Sequence, residues 1–474
     1  MIPATEQHWL SESFVDPNGR LFEWRGELYR ALDPVYAARW QQWAKSGVID
    51  GLVRAGLLIE SEWSGFKTDS GKAVLHHRRV AVQSYCYEWP PAMLRDAALL
   101  TIDLCIRLAE HGLTLQDGHP WNILFEGTRP VYVDAGSIVP ARDDILWAPY
   151  QQFCNFFLYP LYLYAAGQDH IARWLMRDYL AGISDGDLLA ALPASFKLRH
   201  PWRTLGVAIP KAVSKLFEHL PQDMQQRFFS IPKATNSGPG RARLQLKFFS
   251  SLRKNIEGLD LKPRSSRWAR YYGDPDIQYF QTDLSPGDWQ LKYQAVGKTL
   301  TDFRPKSVLD VGANTGRYSA LACAHGARVT ACEADTAALA LCHETARANG
   351  LNILPLAVNV FSTVATAGRS GIACPGPMER FKSDLVLALA VVHHVVALQR
   401  LPIARICELF AALTERWLLL EFVPPLKPKI GASVVPRLDD YTVEDTEDCL
   451  KGHFETVVCH PSFPPERKLF LCEK

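Results

Sequence analysis

The amino-acid sequence predicts an α/β domain with a mostly parallel sheet in the last third of the chain, preceded by an α+β domain. From about residue 291 onward, short apolar segments alternate with helical segments, the pattern of strands that helices cover on both faces. The first segment, "SVLDVGANTG", passes from an apolar strand directly into a glycine-containing turn. The last two segments, "FETVVCHPSF" and "RKLFLCEK", have no helix between them, so the sheet should end in an antiparallel hairpin.

The order of the C-terminal elements follows from their composition. Short apolar runs predict strands, and longer runs rich in alanine and leucine predict helices. The predicted strands are "KSVLDVG", "ARVTACEAD", "NILPLAVNV", "SDLVLALA" and "RWLLLEFVP". The predicted helices between them are "TGRYSALACAHG", "TAALALCHETARANG" and "LQRLPIARICELFAALTE".

Domain boundaries are predicted from a loss of apolar residues in the middle of the chain. The stretch "IPKATNSGPGRARLQLKFF" combines proline, glycine and asparagine with an excess of basic residues, which is typical of a linker. We predict a front domain over residues 1–230, a basic linker with a helical lead-in over residues 231–290, and a C-terminal domain over residues 291–474. The basic residues favour a solvated connector, with a phosphate- or acid-binding patch as the alternative.

Composition is typical of a globular protein. Hydrophobic residues make up 48% and charged residues 22%, and the net charge of +2 gives no general attraction to nucleic acid. The 11 cysteines show no metal-ligand spacing, so we expect buried reduced thiols and no metal site. The start of the chain lacks a signal-peptide pattern. The aromatic segment from Leu146 to Gly167 contains prolines and amides, which predicts a buried helix in a cytoplasmic protein without a transmembrane segment.

The turn after "SVLDV" predicts a site for a nucleoside with a cationic tail. Gly312 permits a sharp turn and Gly316 a close approach of the backbone, and ligands of such sheets lie beyond the carboxyl ends of the strands. Asp310 would repel a phosphate but suits an ammonium or sulfonium group. Glu333, after the second strand, suits ribose hydroxyls, and Asn359, after the third, suits an adenine edge. S-adenosyl-L-methionine combines all of these groups.

Four segments in order, "VLDVGANTG", "ACEAD", "LPLAVN" and "DLVLALAVVHH", resemble the successive motifs of class I S-adenosylmethionine-dependent methyltransferases. The resemblance implies a Rossmann-like methyltransferase sheet over residues 291–474 and S-adenosyl-L-methionine as the cofactor. The cofactor-binding residues that it implies are Asp310, Gly312, Asn314 and Gly316 for the methionine end, Glu333 for the ribose and Asn359 for the adenine. An NAD-binding fold is the weaker alternative, because the G-x-G-x-x-G spacing is absent.

The segment after the fourth predicted strand bears on the methyl acceptor. Amino-group methylases of nucleic acid and of glutamine resemble one another in an Asn/Asp-Pro-Pro-Tyr run there, whereas this chain has "LALAVVHH". We therefore expect a hydroxyl or similar group on a small-molecule or glycan-like acceptor, and not nucleic acid. His393 and His394 are the candidate catalytic residues, since a neutral imidazole can accept a proton from a hydroxyl. Alternatively, both histidines pack against the cofactor or bind its edge.

A second motif lies in the front half of the chain. The segments "LQDGHPWNILF" and "VDAG" resemble the catalytic loop and metal-binding motif of protein kinases and small-molecule phosphotransferases. The resemblance implies a kinase-like α+β domain in which Asp117 orients the acceptor hydroxyl, and Asn122 and Asp134 hold magnesium. No Gly-rich phosphate loop lies between Ser11 and Leu32, no Val-Ala-Ile-Lys run precedes the presumed third strand, and the candidate helix from Tyr36 to Leu58 contains no glutamate to pair with such a lysine. We therefore favour a degenerate scaffold, with an active phosphotransferase or an unrelated α/β domain as alternatives.

The layout of the whole chain resembles a bacterial group of methyltransferases that includes a host-specific nodulation protein of rhizobia. This resemblance implies a role in the production or modification of a secreted signal such as a nodulation factor. The alternative from a different functional class is a non-catalytic regulator or scaffold that binds S-adenosylmethionine.

Overall fold

A computed structural model describes most of the chain. The described residues are 1–10, 13, 16–142, 147–208, 239–262, 265–271, 286–361, 375–424 and 441–474, with only the backbone of residues 239–242 and 286–290. The predicted boundary between residues 230 and 231 lies outside this set, as does Leu146 at the start of the predicted aromatic helix.

The front half begins with a five-stranded antiparallel sheet in the order β1-β2-β3-β5-β4. Its strands are β1 (His8–Trp9), β2 (Gly19–Trp24), β3 (Glu27–Leu32), β4 (Ser61–Lys67) and β5 (Ala73–His77). Two helices, α1 (Pro34–Lys45) and α2 (Val48–Arg54), stand between β3 and β4. Asp33 accepts a hydrogen bond from the Val35 amide and so caps α1. Gly47, with a φ of 78°, separates α1 from α2.

A single turn of 3-10 helix, Cys86–Glu88, leads from this sheet into the long helix α3 (Pro91–Ala109). The segment "VAVQSYCYEWP", which connects β5 to α3, forms no regular strand. Two small antiparallel pairs follow α3. They are β6 (Leu113–Leu115) with β9 (Ile138–Pro140), and β7 (Ile123–Glu126) with β8 (Arg129–Tyr132).

The described residues that follow β9 up to residue 257 are mostly helical. The helices are α4 (Tyr150–Phe153), α5 (Tyr159–Ala165), α6 (Asp169–Leu175), α7 (Asp185–Ala191), α8 (Ala194–Arg199) and α9 (Pro239–Glu257), with a π-helical turn over Cys154–Leu158. The aromatic segment is buried, with Phe153 and Phe157 fully inaccessible. Among the described residues, no helix is long and apolar enough to cross a membrane. Helix α9, within the predicted linker, packs along α3 and buries Phe249 and Ile256.

The C-terminal half contains a seven-stranded sheet in the order β12-β11-β10-β13-β14-β16-β15. Its strands are β10 (Ser307–Val311), β11 (Arg328–Cys332), β12 (Ile353–Leu356), β13 (Ser383–Ala388), β14 (Thr414–Phe422), β15 (Thr456–Pro461) and β16 (Lys468–Glu473). The strands β10 to β14 are parallel, and β16 runs antiparallel to β14 and β15. The predicted parallel sheet with a terminal antiparallel hairpin is confirmed.

Helices cover both faces of this sheet. They are α10 (Pro286–Phe303), α11 (Arg317–Ala324), α12 (Thr336–Ala348), α13 (Pro377–Arg380), α14 (Val392–His394), α15 (Ile403–Leu413) and α16 (Val443–Lys451). A π-helical turn, Val395–Gln399, follows α14. The helix predicted from "LQRLPIARICELFAALTE" therefore starts later than expected, after Pro402, which cannot donate a backbone hydrogen bond.

One hydrophobic core runs through both halves of the chain. Phe125 and Tyr132 of the front half belong to the same buried cluster as Leu356 and Phe410 of the C-terminal half. The turn at Cys86–Glu88 contacts the C-terminal half directly, because the Glu88 carbonyl accepts a hydrogen bond from the Ala357 amide at 2.6 Å. The two halves therefore share a buried interface rather than only a connecting segment.

Candidate active site

A cavity of about 490 Å³ opens at the carboxyl ends of the parallel strands. The segments that follow five neighbouring strands line it: residues 310–314, 332–334, 358–361, 389–391 and 423. Parallel strands bring such segments together because all of their carboxyl ends meet at one sheet edge. Of the residues singled out from the sequence, those that line the cavity are Asp310, Gly312, Asn314, Glu333, Asn359, His393 and His394.

Asp310 is a buried acid at the centre of this edge. Its side chain accepts a hydrogen bond of 2.6 Å from the Ser319 hydroxyl, and the residue is only 2% exposed. Burial, followed by the nearby charge of Glu333, raises the pKa of Asp310 to about 6, against the opposing effect of the Ser319 hydrogen bond. Ionisation of this buried carboxyl group is costly, and a cationic ligand beside it would stabilise the carboxylate.

The backbone after β10 passes close to the cavity. Gly312 has a φ of 75°, and a Cβ there would lie 3.2 Å from the Val391 side chain. Asn314 also adopts a positive φ, of 53°, and its amide donates to Glu333 at 2.8 Å. Gly316 is not among the residues that line the cavity. A Cβ on Gly316 would lie 2.5 Å from the Cys342 sulfur, so this glycine permits the close packing of α11 against α12.

Glu333 directly follows β11, and backbone amides fix its position. Its two carboxylate oxygens accept hydrogen bonds of 2.8 Å from the amides of Asn314 and Asp335. Burial raises its pKa against the effect of these bonds. Each oxygen retains a further lone pair, which suits the paired hydroxyls of a ribose.

Asn359 lies in the loop after β12, three residues beyond the end of the strand. Its side-chain nitrogen donates to the Gln399 side chain at 3.0 Å, and its side-chain oxygen accepts from the Phe361 backbone amide at 3.1 Å. Val358, Val360 and Phe361 of the same loop also line the cavity. This wall therefore combines apolar surface with an amide, as a flat heterocycle requires.

His393 and His394 begin the segment after β13. Their ring centroids are 3.9 Å apart. Burial, then His394, Arg467 and Lys292, lower the pKa of His393 to about 3, and its Nδ1 has no hydrogen-bond partner among the described residues. The imidazole is therefore neutral at physiological pH, which makes it a hydrogen-bonding group but a weak base.

Part of the predicted linker also lines the cavity. Arg267, Trp268 and Tyr271 lie along its wall, and the Trp268 ring meets His394 edge-on with centroids 5.2 Å apart. The Asn314 side chain donates to the Trp268 carbonyl at 3.1 Å and so fixes this segment in place. These residues were not predicted from the sequence, although two aromatic residues within a basic stretch are a signal of a binding wall.

A second group missed from the sequence surrounds Glu421, which is fully buried near the end of β14. Its carboxylate receives the Lys292 ammonium at 2.6 Å and the Ser462 hydroxyl at 3.1 Å, and it lies 3.6 Å from the Arg467 guanidinium. Lys292 and Arg467 line the cavity. Two cations around one carboxylate give this wall an excess of positive charge. The sequence indication of this group was the acid Glu421, which interrupts the apolar run "LLLEF" near the end of β14.

The residues of the second motif form a separate cluster in the front half. The Asn122 side chain donates to Asp134 at 3.4 Å, and the Gly136 amide donates to the other Asp134 oxygen at 3.1 Å. Asp117 lies 3.6 Å from the ring of His119. The fold therefore brings Asn122 and Asp134 into contact.

Arg30 of β3 is the residue of this cluster that the sequence analysis missed. Its guanidinium binds Asp134 at 2.8 Å and also pairs with Asp16, and its side chain is 3% exposed. Burial alone would lower the pKa of Arg30, but the carboxylates of Asp134 and Asp16 more than offset this effect and raise it. The side chain of Asn18 donates to the Gly136 carbonyl at 2.7 Å, so the loop before β2 lies against the same cluster.

The cavity residues fit S-adenosyl-L-methionine. A buried acid faces the place for a cationic tail, a glycine permits close approach of the backbone, and an amide-fixed carboxylate suits ribose hydroxyls. Asp310, Gly312, Glu333 and Asn359 would hold the cofactor, and all four line one continuous cavity.

Comparisons with known proteins agree with this fit. Residues 309–407 match the family model described as "Methyltransferase domain". The chain is 28% identical to the protein named "Nodulation protein NoeA" of Rhizobium meliloti (strain 1021), over 98% of this chain and 95% of that protein.

Solved structures of methyltransferases are similar to part of the chain. Magnesium protoporphyrin IX methyltransferase (ChlM) from Synechocystis PCC 6803 with bound SAM is 17% identical, with a TM-score of 0.31 over 44% of this chain and 89% of that one. The bifunctional kinase-methyltransferase WbdD is 18% identical, with a TM-score of 0.29 over 42% of each chain. The match spans less than half the length of WbdD.

Proposed function

We propose that this S-adenosylmethionine-dependent methyltransferase methylates a hydroxyl or similar group of a small-molecule or glycan-like acceptor, and that its front half is a kinase-like scaffold without phosphoryl transfer. The observation that carries the proposal is the single cavity in which the cofactor-binding residues meet a polar, positively charged wall at His393, Lys292 and Arg467. When bound, the cofactor supplies a methyl group on a sulfonium centre.

Each cofactor-binding residue has a role that its surroundings support. Asp310 ionises to bind the cationic amino-acid tail, and Gly312 leaves room for that tail beside the backbone. Glu333 accepts the ribose hydroxyls, and Asn359 meets the adenine edge. Because the cavity walls already hold these groups in position, little side-chain ordering is needed on binding.

Another part of the cavity wall orients the acceptor. Neutral His393 can accept a hydrogen bond from the acceptor hydroxyl, while Lys292 and Arg467 favour an acceptor with many oxygen atoms. The low pKa of His393, about 3, opposes full proton transfer to the ring. We therefore assign His393 to positioning, with the hydroxyl proton released to water as the methyl group is transferred. The segment Arg267–Tyr271 forms part of the cavity wall beside these groups.

The kinase-like interpretation of the front half is supported by the sheet order β1-β2-β3-β5-β4 and by the contact of Asn122 with Asp134. Arg30 takes the place on β3 where active kinases carry a lysine that pairs with a helix glutamate. Here it pairs with Asp134 instead, so the acid that would bind magnesium is already neutralised. We propose that this half lacks kinase activity and helps to form the acceptor site. Magnesium-dependent ATP turnover that disappears in Asp134→Ala would contradict this proposal.

The similarity to NoeA over 98% of this chain supports a setting in nodulation. We infer that the acceptor belongs to the production or modification of a secreted signal such as a nodulation factor. Mass spectrometry of metabolites and secreted glycans, from strains with and without the gene, should show a methyl group that depends on the gene.

Transfer of a tritiated methyl group with the purified protein tests the acceptor class directly. Label in a small-molecule or glycan fraction supports the proposal. Label in RNA or DNA contradicts it, and so does a protein that binds S-adenosylmethionine but labels no fraction.

A further inference from the structure

We propose that the front half of the chain positions the adenine end of the cofactor site, because Arg173 and the backbone of Glu88 hold the loop that binds the adenine. The inference rests on the assignment of residues 357–361 to the adenine end under the proposed function. It gives the front half a positioning role for the cofactor, distinct from any contact with the acceptor.

The contact is made through both backbone polar groups of one residue, Ala357. The Ala357 amide donates to the Glu88 carbonyl at 2.6 Å. The Ala357 carbonyl accepts from the Arg173 guanidinium at 2.6 Å, across 184 positions of sequence. Ala357 is 5% exposed and directly precedes Val358 and Asn359, which line the cavity. The main chain at the start of the adenine loop is therefore fixed by the front half.

Arg173 is itself held in place. A second nitrogen of its guanidinium donates to the Tyr87 carbonyl at 3.3 Å, so one side chain bridges the two halves. Arg173 is half-buried, and burial lowers the pKa of its guanidinium. Hydrogen bonds from a charged donor are stronger than neutral ones, and a buried carbonyl that loses such a donor is left unsatisfied.

Glu88 is fixed by an ion pair that also spans the two halves. Its carboxylate pairs with Arg380, and the two side chains are only 5% and 4% exposed. The Arg380 guanidinium also donates to the Gln83 carbonyl at 2.6 Å and lies over the Tyr85 ring, 4.3 Å from its centroid. Contacts from both halves of the chain therefore hold the turn that presents the Glu88 carbonyl to Ala357.

The test measures recognition of the adenine itself. Calorimetry with the full chain compares S-adenosylhomocysteine with S-inosylhomocysteine, which carries a carbonyl in place of the adenine amino group. We expect the wild type to prefer the adenine compound by about tenfold, the value of one hydrogen bond. Arg173→Ala should weaken S-adenosylhomocysteine binding by about tenfold and reduce the preference to about twofold, because a loosened loop no longer discriminates.

Two further variants separate positioning from general destabilisation. Arg173→Lys keeps the charge but cannot span both carbonyls. Its preference for S-adenosylhomocysteine over S-inosylhomocysteine should therefore lie between those of Arg173→Ala and the wild type. Arg177→Ala is the matched control, since Arg177 stacks on the rings of Tyr87 and Trp174, and its preference should equal that of the wild type. Hydrogen exchange in the peptide that covers residues 353–361 should be faster in both Arg173 variants.

Each outcome decides the inference. An unchanged preference and unchanged exchange in Arg173→Lys, together with lower thermal stability, would show a purely structural contact and overturn it. If Arg173→Ala does not fold, the binding and exchange results for Arg173→Lys alone decide the inference. A wild type that binds S-adenosylhomocysteine without preferring adenine would overturn the assignment of the loop, and the inference with it, while methyl transfer would stand.

Discussion

Replacement of Asp310 by asparagine should stabilise the ligand-free protein and, at the same time, abolish cofactor binding. The carboxyl group is 2% exposed, and its pKa is raised from the usual 3.8 to about 6, mainly by burial. The folded state therefore holds the proton more tightly than the unfolded chain does. Stability falls as the pH rises from 3.8 to about 6, and the full cost remains above that range.

The size of this cost follows from the pKa. A rise from 3.8 to about 6 corresponds to ~3 kcal/mol of unfolding free energy. Asparagine keeps an oxygen to accept the Ser319 hydrogen bond, but its amide hydrogens need acceptors of their own. We therefore expect a net gain of ~1–2 kcal/mol at neutral pH, measured as a rise of a few degrees in the thermal midpoint.

Thermal unfolding at about pH 5 and about pH 8 checks this prediction, since the cost of the ionised wild-type carboxyl falls by about half from the higher to the lower of these pH values and the advantage of Asp310→Asn should shrink with it. Calorimetry at the upper pH should show no binding of S-adenosylmethionine by the variant. Asp384→Asn is the control. Asp384 accepts hydrogen bonds from the Lys306 and Ser307 amides at the opposite end of the sheet, so cofactor binding should persist. The reasoning is refuted if Asp310→Asn shows the same stability difference from the wild type at both pH values, or binds the cofactor normally.

Three further predictions concern packing, charge and the acceptor wall. Gly316→Ala should lower the thermal midpoint, because its Cβ would lie 2.5 Å from the Cys342 sulfur at a φ of 82°; an unchanged melting curve would show that the contact relaxes freely. Arg30→Ala should cost ~2–3 kcal/mol in urea unfolding, because the partly buried Asp134 carboxylate loses its charged partner, and Arg30→Ala/Asp134→Ala should recover part of this loss; wild-type stability of the single variant would contradict the pairing. His393→Gln should keep methyl-transfer rates within about tenfold of the wild type, since a positioning group contributes less than a general base. The wild-type rate profile should also lack a titration near the usual histidine pKa, because that of His393 is about 3; a profile that follows such a titration and is lost in His393→Gln would make His393 a base.

The C-terminal sheet was predictable because its signals are local. The run "SVLDVG" specifies a buried strand and a turn within a few residues, and the last two strands have no helix between them. Asp310, Glu333 and Asn359 each follow a strand, and parallel strands bring such positions to one edge. A cavity lined by all three therefore follows from the sequence pattern alone.

The other side of the cavity was not predictable in the same way. Trp268 and Arg467 lie in segments without a motif, and they meet the cavity only because the chain folds back over the sheet edge. Helix α9 illustrates the same point, since its basic residues indicated a solvated connector, whereas its apolar residues Phe249 and Ile256 are buried in the core.

The sequence by itself determined the sheet, the turn after β10 and the acids that follow the strands, because each depends on neighbours a few residues apart. The tertiary structure decided which buried charges are paired. Arg30 binds Asp134, and Arg173 binds the Ala357 carbonyl across 184 positions. A buried arginine takes whichever oxygen atoms the packed chain places around it, since burial without such partners would be too costly. Its partners are therefore set by the three-dimensional packing of distant segments, which the spacing of residues along the chain does not reveal.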